Sequence, residues 1–275
     1  MPLNWAESII NRWGYAVMKD LTVSLIQASP YWEDIEANMD LFDHRIDEIK
    51  ESTDLIVLPE MFTTGFTMNA PDLAQPMTGS TVRWLKSKSQ QKYADILGSI
   101  IIKEEGKYYN RLLWAKPNGQ LYTYDKEHLF RLAGEEKVYN ASHKKLTVEV
   151  NGWKIRPFIC YDLRFPIWTR NIAPLYDVAI FIANWPEKRS AHWRLLLLAR
   201  AIENQCYVIG VNRVGEDGNG YPHRGDSSII DAQGNILFQK PDETCTLTIQ
   251  LQYKPMADYR KYFPAWMDAD REVLR

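Results

Sequence analysis

This 275-residue chain has few cysteines and histidines and no large excess of charge of either sign. Each of these features excludes a class of protein. The three cysteines, Cys160, Cys206 and Cys245, form an odd set without a Cys-x-x-Cys pair, which argues against a disulfide framework and a zinc site. The five histidines are scattered without metal-ligand spacing, so no metal is expected. A reducing cytoplasm fits this cysteine usage best.

Long apolar runs are missing as well, since no stretch has the length needed to cross a bilayer. A formal net charge of -2 gives no general attraction to nucleic acid or to an anionic membrane. The hydrophobic content of 45% and the charged content of 25% are typical of a soluble globular protein. We therefore expect neither a nucleic-acid partner nor a membrane partner.

The first residues differ from the rest of the chain. Segment 1–17 is interrupted by polar residues, and its apolar runs are too short for the core of a signal peptide. The first predicted strand, Leu21 to Gln27, begins shortly afterwards. We expect residues 1–19 to be an appendage, either a product of an early start codon or a helical arm that packs on a neighbour. Residues 20–275, which lack repeats and flexible linkers, are expected to form one domain.

Strands alternate with helices in two similar stretches, which predicts α/β layers. Asp34 is suited to cap a helix, and a second helix is predicted from Ser190 to Asn204. The continuous apolar run from Asp177 to Ala183 is typical of a strand that is buried on both faces.

The stretch from Lys154 to Pro166 predicts a strand, a turn and a helix, with Cys160 where the strand ends. Pro166 is suited to open a helix, predicted to run through Trp168 as far as Leu175. Reactive side chains collect at such strand ends in α/β sheets, and a thiol near a helix N-terminus ionises more easily. A lone cysteine is nevertheless more often a buried packing residue than a nucleophile.

Two other predicted strands end in charged residues. Glu60 follows an apolar strand that Pro59 stops, and Lys126 follows an alternating strand. Each charge by itself is typical of a solvated loop. Together with Cys160 they supply a base, a cation and a nucleophile, which are the groups that thiol attack on a carbonyl requires.

The segments around these residues are LPEMFTTGF at Glu60, YDKEHLF at Lys126 and ICYDLRFP at Cys160. They resemble the three motif blocks of the nitrilase, or carbon–nitrogen hydrolase, superfamily. The resemblance continues through ANWPEKRSAHW, LLARAIENQCYV and NRVGEDGNGYPHRGDSSIID, and it covers Leu21 to Asp268. The sequences CYDLRFPIWTRN and ANWPEKRSAHW are similar to those of the omega-amidase branch, which hydrolyses amides such as 2-oxoglutaramate.

The resemblance implies a four-layer α-β-β-α sandwich, in which helices cover the outer faces of two facing sheets. It implies that Cys160 attacks an amide carbon, that Glu60 moves the protons, and that Lys126 and the backbone N–H of Tyr161 hold the oxyanion. No organic cofactor is expected, because hydrolysis through a cysteinyl thioester needs none. A second carboxylate is expected in the loop after the lysine, and Glu135 is favoured over Glu136. Members of the family commonly associate through the helix layer as dimers, so the resemblance implies a homodimer or a larger homo-oligomer for this chain.

A 2-oxo acid amide carries a carboxylate that requires a cation in the pocket. Arg164 and either Lys188 or Arg189 are the candidates, although a structural salt bridge of Arg164 with Asp162 or Glu203 is the favoured alternative. Phe66, Tyr161 and Trp185 are expected to wall the pocket.

Three alternatives stay open at this stage. The chain is also consistent with another aliphatic or carbamoyl amidase, with a nitrilase, or with a non-catalytic binding protein on the same fold. A Cys-His hydrolase that uses His128 is disfavoured, because no Asn or Asp can be paired with His128 from the sequence.

Overall fold

In a computed structural model, which describes residues 18–172 and 175–270, the chain folds into two β-sheets with helices on their outer faces. The strands are β1 (Leu21–Gln27), β2 (Leu55–Val57), β3 (Asp95–Glu104), β4 (Lys107–Ala115), β5 (Leu121–Asp125), β6 (Val148–Val150), β7 (Trp153–Ile159), β8 (Val178–Ile182), β9 (Tyr207–Val211), β10 (Val214–Glu216), β11 (Pro222–Ile230), β12 (Ile236–Pro241) and β13 (Cys245–Leu251). The α-helices are α1 (Ile35–Asp47), α2 (Ala70–Leu73), α3 (Ser80–Lys92), α4 (Pro166–Thr169), α5 (Ser190–Asn204) and α6 (Tyr253–Tyr262).

Parallel strands form the middle of each sheet. The first sheet has the order β13-β1-β2-β3-β4-β5, and the second has the order β10-β11-β9-β8-β7-β6, with β12 paired to β11. Strands β1, β2 and β3 run parallel to one another, as do β7, β8 and β9. Because parallel strands end at the same edge of a sheet, the residues after β7 and β8 lie beside each other, and so do those after β1 and β2.

The central strands alternate between two cores, as a period of two requires. On β8, Val178, Ile180 and Ile182 point into the core between the two sheets. Ala179 and Phe181 point to the opposite face, where they pack against residues of α5. This strand is buried along its whole length, which confirms the prediction of a strand with two buried faces.

Each outer face is covered by helices. Phe42 on α1 and Leu85 on α3 pack on the first sheet, and Trp193 and Leu197 on α5 pack on the second. The Asp34 side chain accepts the N–H of Ala37 at 3.0 Å and so caps α1, as predicted. The predicted four-layer α-β-β-α sandwich is therefore confirmed.

The helix after the cysteine is shorter than the sequence predicts. It begins at Pro166 as expected but ends at Thr169, so the predicted extension to Leu175 is wrong. Asn171 gives the reason, because its side chain accepts the N–H of Leu175 at 2.7 Å and donates to the carbonyl of Tyr176 at 2.8 Å. These bonds stabilise a loop in place of further helical turns.

The predicted appendage, 1–19, lies mostly outside the described residues. Of its last two residues, Met18 is partly buried, and the carbonyl of Lys19 accepts the indole N–H of Trp153 at 2.7 Å. These residues therefore pack against the start of β7.

Candidate active site

Cys160 lies where the sheet strand turns sharply. Strand β7 ends at Ile159, and a 3-10 turn over Cys160–Arg164 follows directly. The backbone of Cys160 has a φ of +44°, a left-handed conformation that residues other than glycine rarely adopt. Such strain persists only where the surrounding structure holds it, and it clusters at functional sites. The turn leaves Cys160 partly exposed in a cavity.

Glu60 is held by the segment that follows β2. The next residue, Met61, donates its N–H to the Ser99 hydroxyl at 2.8 Å, which ties the segment to β3. Gly98 permits this close approach, since a Cβ there would lie 2.8 Å from the ring of Phe62. The backbone therefore fixes the Glu60 carboxylate in the interior, where the residue is fully buried.

Lys126 lies between two carboxylates. Its ammonium donates to Glu60 Oε1 at 2.9 Å and to both carboxylate oxygens of Glu135, also at 2.9 Å. All three residues are fully buried. Glu135, and not Glu136, is thus the second carboxylate at the lysine, and the N–H of Phe130 also binds Glu135 at 2.6 Å.

Two asparagines complete the shell around Glu60, and the sequence interpretation missed both. The side chain of Asn110 on β4 donates to Glu60 Oε1 at 2.7 Å. The backbone N–H of Asn184, which follows β8, donates to Glu60 Oε2 at 2.8 Å, and its side chain donates to the Glu60 carbonyl at 2.6 Å. Asn110 lies within β4, and Asn184 lies in the segment ANWPEKRSAHW that resembles the superfamily, but neither pattern points to Glu60 as a partner.

The electrostatics keep the thiol protonated and the lysine charged. Burial raises the pKa of Cys160 well above its usual value, and the negative charge of Glu60 raises it further against the opposing effect of Lys126. Burial by itself would lower the pKa of Lys126, but the carboxylates of Glu135 and Glu60 hold that pKa above its usual value. Attack by Cys160 therefore requires a base, and the neighbouring Glu60 carboxylate is available for this task.

Opposing effects also set the pKa of Glu135. Burial raises its pKa, Lys126 lowers it and the charge of Glu60 raises it again, which leaves the pKa above the usual value. Two carboxylates that share one ammonium hold the lysine in a single position.

The thiol and the ammonium line a cavity of about 840 Å³. Leu132 and Tyr221, which are 80% and 60% exposed, mark the outer part of the cavity. Residues of the cavity wall include Trp32, Glu33, Phe66, Thr67, Asn69, Phe130, Leu132, Tyr161, Arg164, Asn184, Trp185, Lys188, Arg189, Asp217, Tyr221 and His223.

All five residues predicted to bind substrate lie in this wall: Phe66, Tyr161, Arg164, Trp185 and Arg189. The guanidinium of Arg164 lies 5.1 Å from the ring centroid of Trp185, and it hydrogen-bonds His192 Nδ1 at 2.8 Å. It makes neither of the salt bridges considered from the sequence. Glu203 forms its salt bridge with Arg200 instead, at 2.8 Å. The carboxylate of Asp162 turns back within the 3-10 turn and accepts the N–H of Ile159.

His128 does not pair with the thiol. Its Nδ1 lies 2.8 Å from Asp162 Oδ1, and its ring stacks on Phe165 with centroids 3.7 Å apart. The sequence alone could not supply this Asp partner, because it lies 34 positions away. The imidazole thus contacts residues of the turn that carries Cys160, and Cys160 and His128 do not form a catalytic pair.

One acidic group of the cavity wall was also missed. Glu33 binds the hydroxyl of Thr67 and the side-chain N–H of Asn69, the latter at 3.2 Å, so neighbouring loops satisfy its carboxylate. A Glu in a loop between a strand and a helix gives no signal of such a position.

Known proteins resemble this chain over nearly its whole length. Omega-amidase YafV of Escherichia coli K12 is 46% identical over 256 residues, which cover 92% of this chain and 98% of the relative. A 2-oxoglutaramate amidase of Bacillus subtilis is 32% identical over the same shares of the two chains. The solved structure of XC1258 from Xanthomonas campestris, a superfamily protein with an arsenic adduct in its active site, matches with a TM-score of 0.91 and 42% identity, over 94% of this chain and 100% of that chain.

The sequence pattern of the carbon-nitrogen hydrolase family matches residues 22–261. That range includes Glu60, Lys126, Glu135 and Cys160, the residues that the fold brings together. This chain therefore belongs to the carbon-nitrogen hydrolase family.

Proposed function

We propose that this chain is an omega-amidase, which converts 2-oxoglutaramate or 2-oxosuccinamate to the 2-oxo dicarboxylic acid and ammonia. The observation that carries the proposal is that buried Lys126 binds both Glu60 and Glu135, and that the Cys160 thiol beside them lines a cavity whose wall contains cations. Relatives named omega-amidase and 2-oxoglutaramate amidase support the substrate class.

The first step is attack of Cys160 Sγ on the amide carbon. Glu60 accepts the thiol proton and passes it to the leaving nitrogen, so that ammonia departs and not an amide anion. The raised pKa of the thiol makes this base indispensable, because little thiolate exists before the substrate binds.

Lys126 and the backbone N–H of Tyr161 stabilise the oxyanion that forms. The hydrogen bonds from Lys126 to Glu60 and Glu135 hold the ammonium in place before the reaction, so little reorganisation is needed when the charge develops. Glu135 accordingly acts as the positioning carboxylate of the site. Glu60 then activates water, which cleaves the thioester and releases the acid.

The substrate carboxylate binds at the outer part of the cavity. Arg164, Lys188 and Arg189 supply three cations there, against the acidic side chains of Glu33 and Asp217. The carboxylate of Glu33 is already taken by Thr67 and Asn69, which leaves the cations in excess. Phe66, Tyr161 and Trp185 form the walls that orient the carbon chain.

An ammonia-release assay tests the proposal. The panel contains 2-oxoglutaramate, 2-oxosuccinamate, glutamine, asparagine, simple carbamoyl compounds and aliphatic nitriles, and we expect the 2-oxo acid amides to have the highest kcat/KM. Cys160→Ala should lower turnover by about 10⁴-fold or more, as the loss of a nucleophile does elsewhere. Ammonia from a nitrile alone would support a nitrilase, and no ammonia from any compound would support a binding protein.

The protein acts as a homodimer or larger homo-oligomer in the cytoplasm, with residues 20–275 as the catalytic domain and 1–19 as an appendage. Its outer helix layer carries exposed apolar side chains at Ile167, Leu195 and Ile202, with exposed fractions of 65%, 65% and 49%. Leu195 and Ile202 are two turns apart on α5, so they share a face. Sedimentation of the wild type and of Leu195→Glu tests this surface, and only the variant should be monomeric.

A further inference from the structure

Asp162 is a buried carboxylate to which the proposed mechanism gives no task. It lies two residues after Cys160, is fully buried and is not part of the cavity wall. Its Oδ2 accepts the N–H of Ile159 at 3.0 Å and the hydroxyl of Tyr124 at 2.7 Å. Its Oδ1 accepts the N–H of His128 at 3.0 Å and faces the Nδ1 of the same residue at 2.8 Å.

These donors come from both sheets of the sandwich. Ile159 is the last residue of β7 in the second sheet, whereas Tyr124 lies on β5 in the first. His128 comes two residues after Lys126. One carboxylate therefore joins the strand end that carries the thiol to the strand end that carries the ammonium.

The turn at Cys160 needs a restraint of this kind. With a φ of +44°, Cys160 holds a conformation that relaxes unless its surroundings fix it. Asp162 binds the N–H of Ile159, the residue before Cys160, and the ring of His128 stacks on Phe165, the residue that follows the turn. Burial and the charge of Asp162 raise the pKa of Tyr124 well above its usual value, so Tyr124 stays a neutral donor.

We propose that Asp162 is a positioning residue that sets the distance between Cys160 and the Glu60–Lys126 pair by hydrogen-bonding β7, β5 and the segment after Lys126. It touches no substrate. Its effect on catalysis passes through the place and the direction of the thiol.

The test is Asp162→Asn, which keeps the shape of the side chain but turns one acceptor into an N–H₂ group that faces donors. Because a displacement of about 1 Å costs on the order of 100-fold in rate, we expect kcat to fall about 10- to 100-fold. KM should stay nearly constant, since the cavity wall is intact. The thiol should also react more slowly with iodoacetamide at pH 7, because a neutral thiol attacks only as Glu60 takes its proton, and a displaced sulfur loses both that base and the nearby ammonium of Lys126, which lowers its pKa.

Peptide mass spectrometry follows the alkylation of Cys160 separately from that of Cys206 and Cys245. This measurement needs no substrate, while the kcat measurement rests on the proposed amidase function. A wild-type protein that is inactive on every amide, combined with slower alkylation of Asp162→Asn, would refute the amidase and leave the role of Asp162 standing.

Asp177→Asn is the matched control. Asp177 binds the other end of the same strand, where its Oδ2 accepts the N–H of Lys154 at 3.0 Å and its Oδ1 binds Arg260 at 2.7 Å. The control should lower the melting temperature but leave alkylation of Cys160 and kcat unchanged. If it slows alkylation as much as Asp162→Asn does, general loosening of β7 explains the effect and the proposal fails.

If Asp162→Asn does not fold, Tyr124→Phe tests the positioning role of Asp162 in its place. It removes a single donor from the carboxylate, so kcat and the alkylation rate should fall less, by about threefold to tenfold, as for the loss of one buried hydrogen bond. Wild-type values of both rates in Tyr124→Phe, or in a folded Asp162→Asn protein, overturn the proposal.

Discussion

The two ends of the cavity are built on different physical principles. At the inner end, Glu60, Lys126 and Glu135 have no exposed surface, and the ammonium binds each of the two carboxylates at 2.9 Å. At the outer end, the partners of Arg164 among the described residues are the ring face of Trp185 and the side chain of His192, and Leu132 is 80% exposed. The charged groups of the inner end are held by one another, whereas the cations of the outer end have hydrogen-bonding capacity left over.

This difference separates chemistry from recognition. Groups that must meet developing charge need to be oriented before the reaction, and burial among fixed partners provides that orientation. Groups that capture a charged ligand need free donors, which the partly exposed Arg164 and Arg189 retain. Changes at the inner end should therefore act on kcat, and changes at the outer end should act on KM.

Lys126→Met should have the largest effect. It removes the oxyanion donor, which costs about 100- to 1,000-fold in kcat. It also leaves two buried carboxylates without their cation, and breaking such a pair destabilises a protein by about 3–5 kcal/mol. Steady-state kinetics and urea unfolding measure the two losses.

Lys88→Met is the control for that change. Lys88 is also nearly buried and binds two carboxylates, those of Asp43 at 2.8 Å and Asp47 at 3.0 Å, but both partners are about half exposed and stay hydrated. This variant should keep wild-type kcat and lose less stability. A wild-type kcat in Lys126→Met would contradict the role given to the inner end.

Arg164→Gln should have an intermediate effect, and on KM. Loss of a cation that faces the substrate carboxylate should raise KM for 2-oxoglutaramate by about 10- to 100-fold, because a charged hydrogen bond contributes about 1.5–3 kcal/mol. Turnover at saturation should change little. Succinamide, which lacks the carboxylate, should show no difference between the variant and the wild type.

Arg194→Gln serves as the control, since Arg194 is exposed on α5 and is not part of the cavity wall. If both arginine variants leave KM unchanged, the carboxylate binds elsewhere in the cavity. If Arg164→Gln lowers kcat alone, the division between the two ends is wrong.

The smallest effect is a pH dependence of stability. The folded state raises the pKa of Cys160, so the folded chain keeps a proton that the unfolded chain releases above about pH 8.5. Stability that depends on the neutral thiol is fully present below that pH and is lost as the pH rises towards the folded pKa. Wild type should lose up to about 1.4 kcal/mol per pH unit more than Cys160→Ser above pH 8.5, by urea unfolding.

Equal slopes for the wild type and Cys160→Ser between pH 8.5 and 10 would count against a thiol held protonated beside Glu60. The serine variant is the appropriate reference because its hydroxyl does not titrate in this window.

Local patterns predicted much of the architecture. The bounds of β1 and α5, the Asp34 cap and the two buried faces of β8 all follow from short-range periodicity and capping. The predicted length of the helix after Pro166 is wrong because the side chain of Asn171 forms hydrogen bonds with the backbone that follows it. Periodicity cannot detect such side-chain bonds, which compete with the bonds of a helix.

The residues around the reacting groups show the same limit. Asn110 and Asn184 reach Glu60 across 50 and 124 positions of sequence, and single polar residues at such distances carry no pattern. Arg164 had candidate carboxylate partners nearby in the chain, yet the turn after Cys160 directs Asp162 towards Ile159 and Tyr124.

The sequence by itself determined the α/β elements and the strand ends that carry Glu60, Lys126 and Cys160, because both depend on local periodicity and on residues that stop a strand. The stacking of these elements as a four-layer sandwich came from the resemblance to the superfamily. Only the tertiary structure decided which polar groups bind those three residues, how the thiol turn is held, and which arginine keeps free donors. Those outcomes depend on distances between segments far apart in the chain, and such distances exist only once the two sheets have packed together.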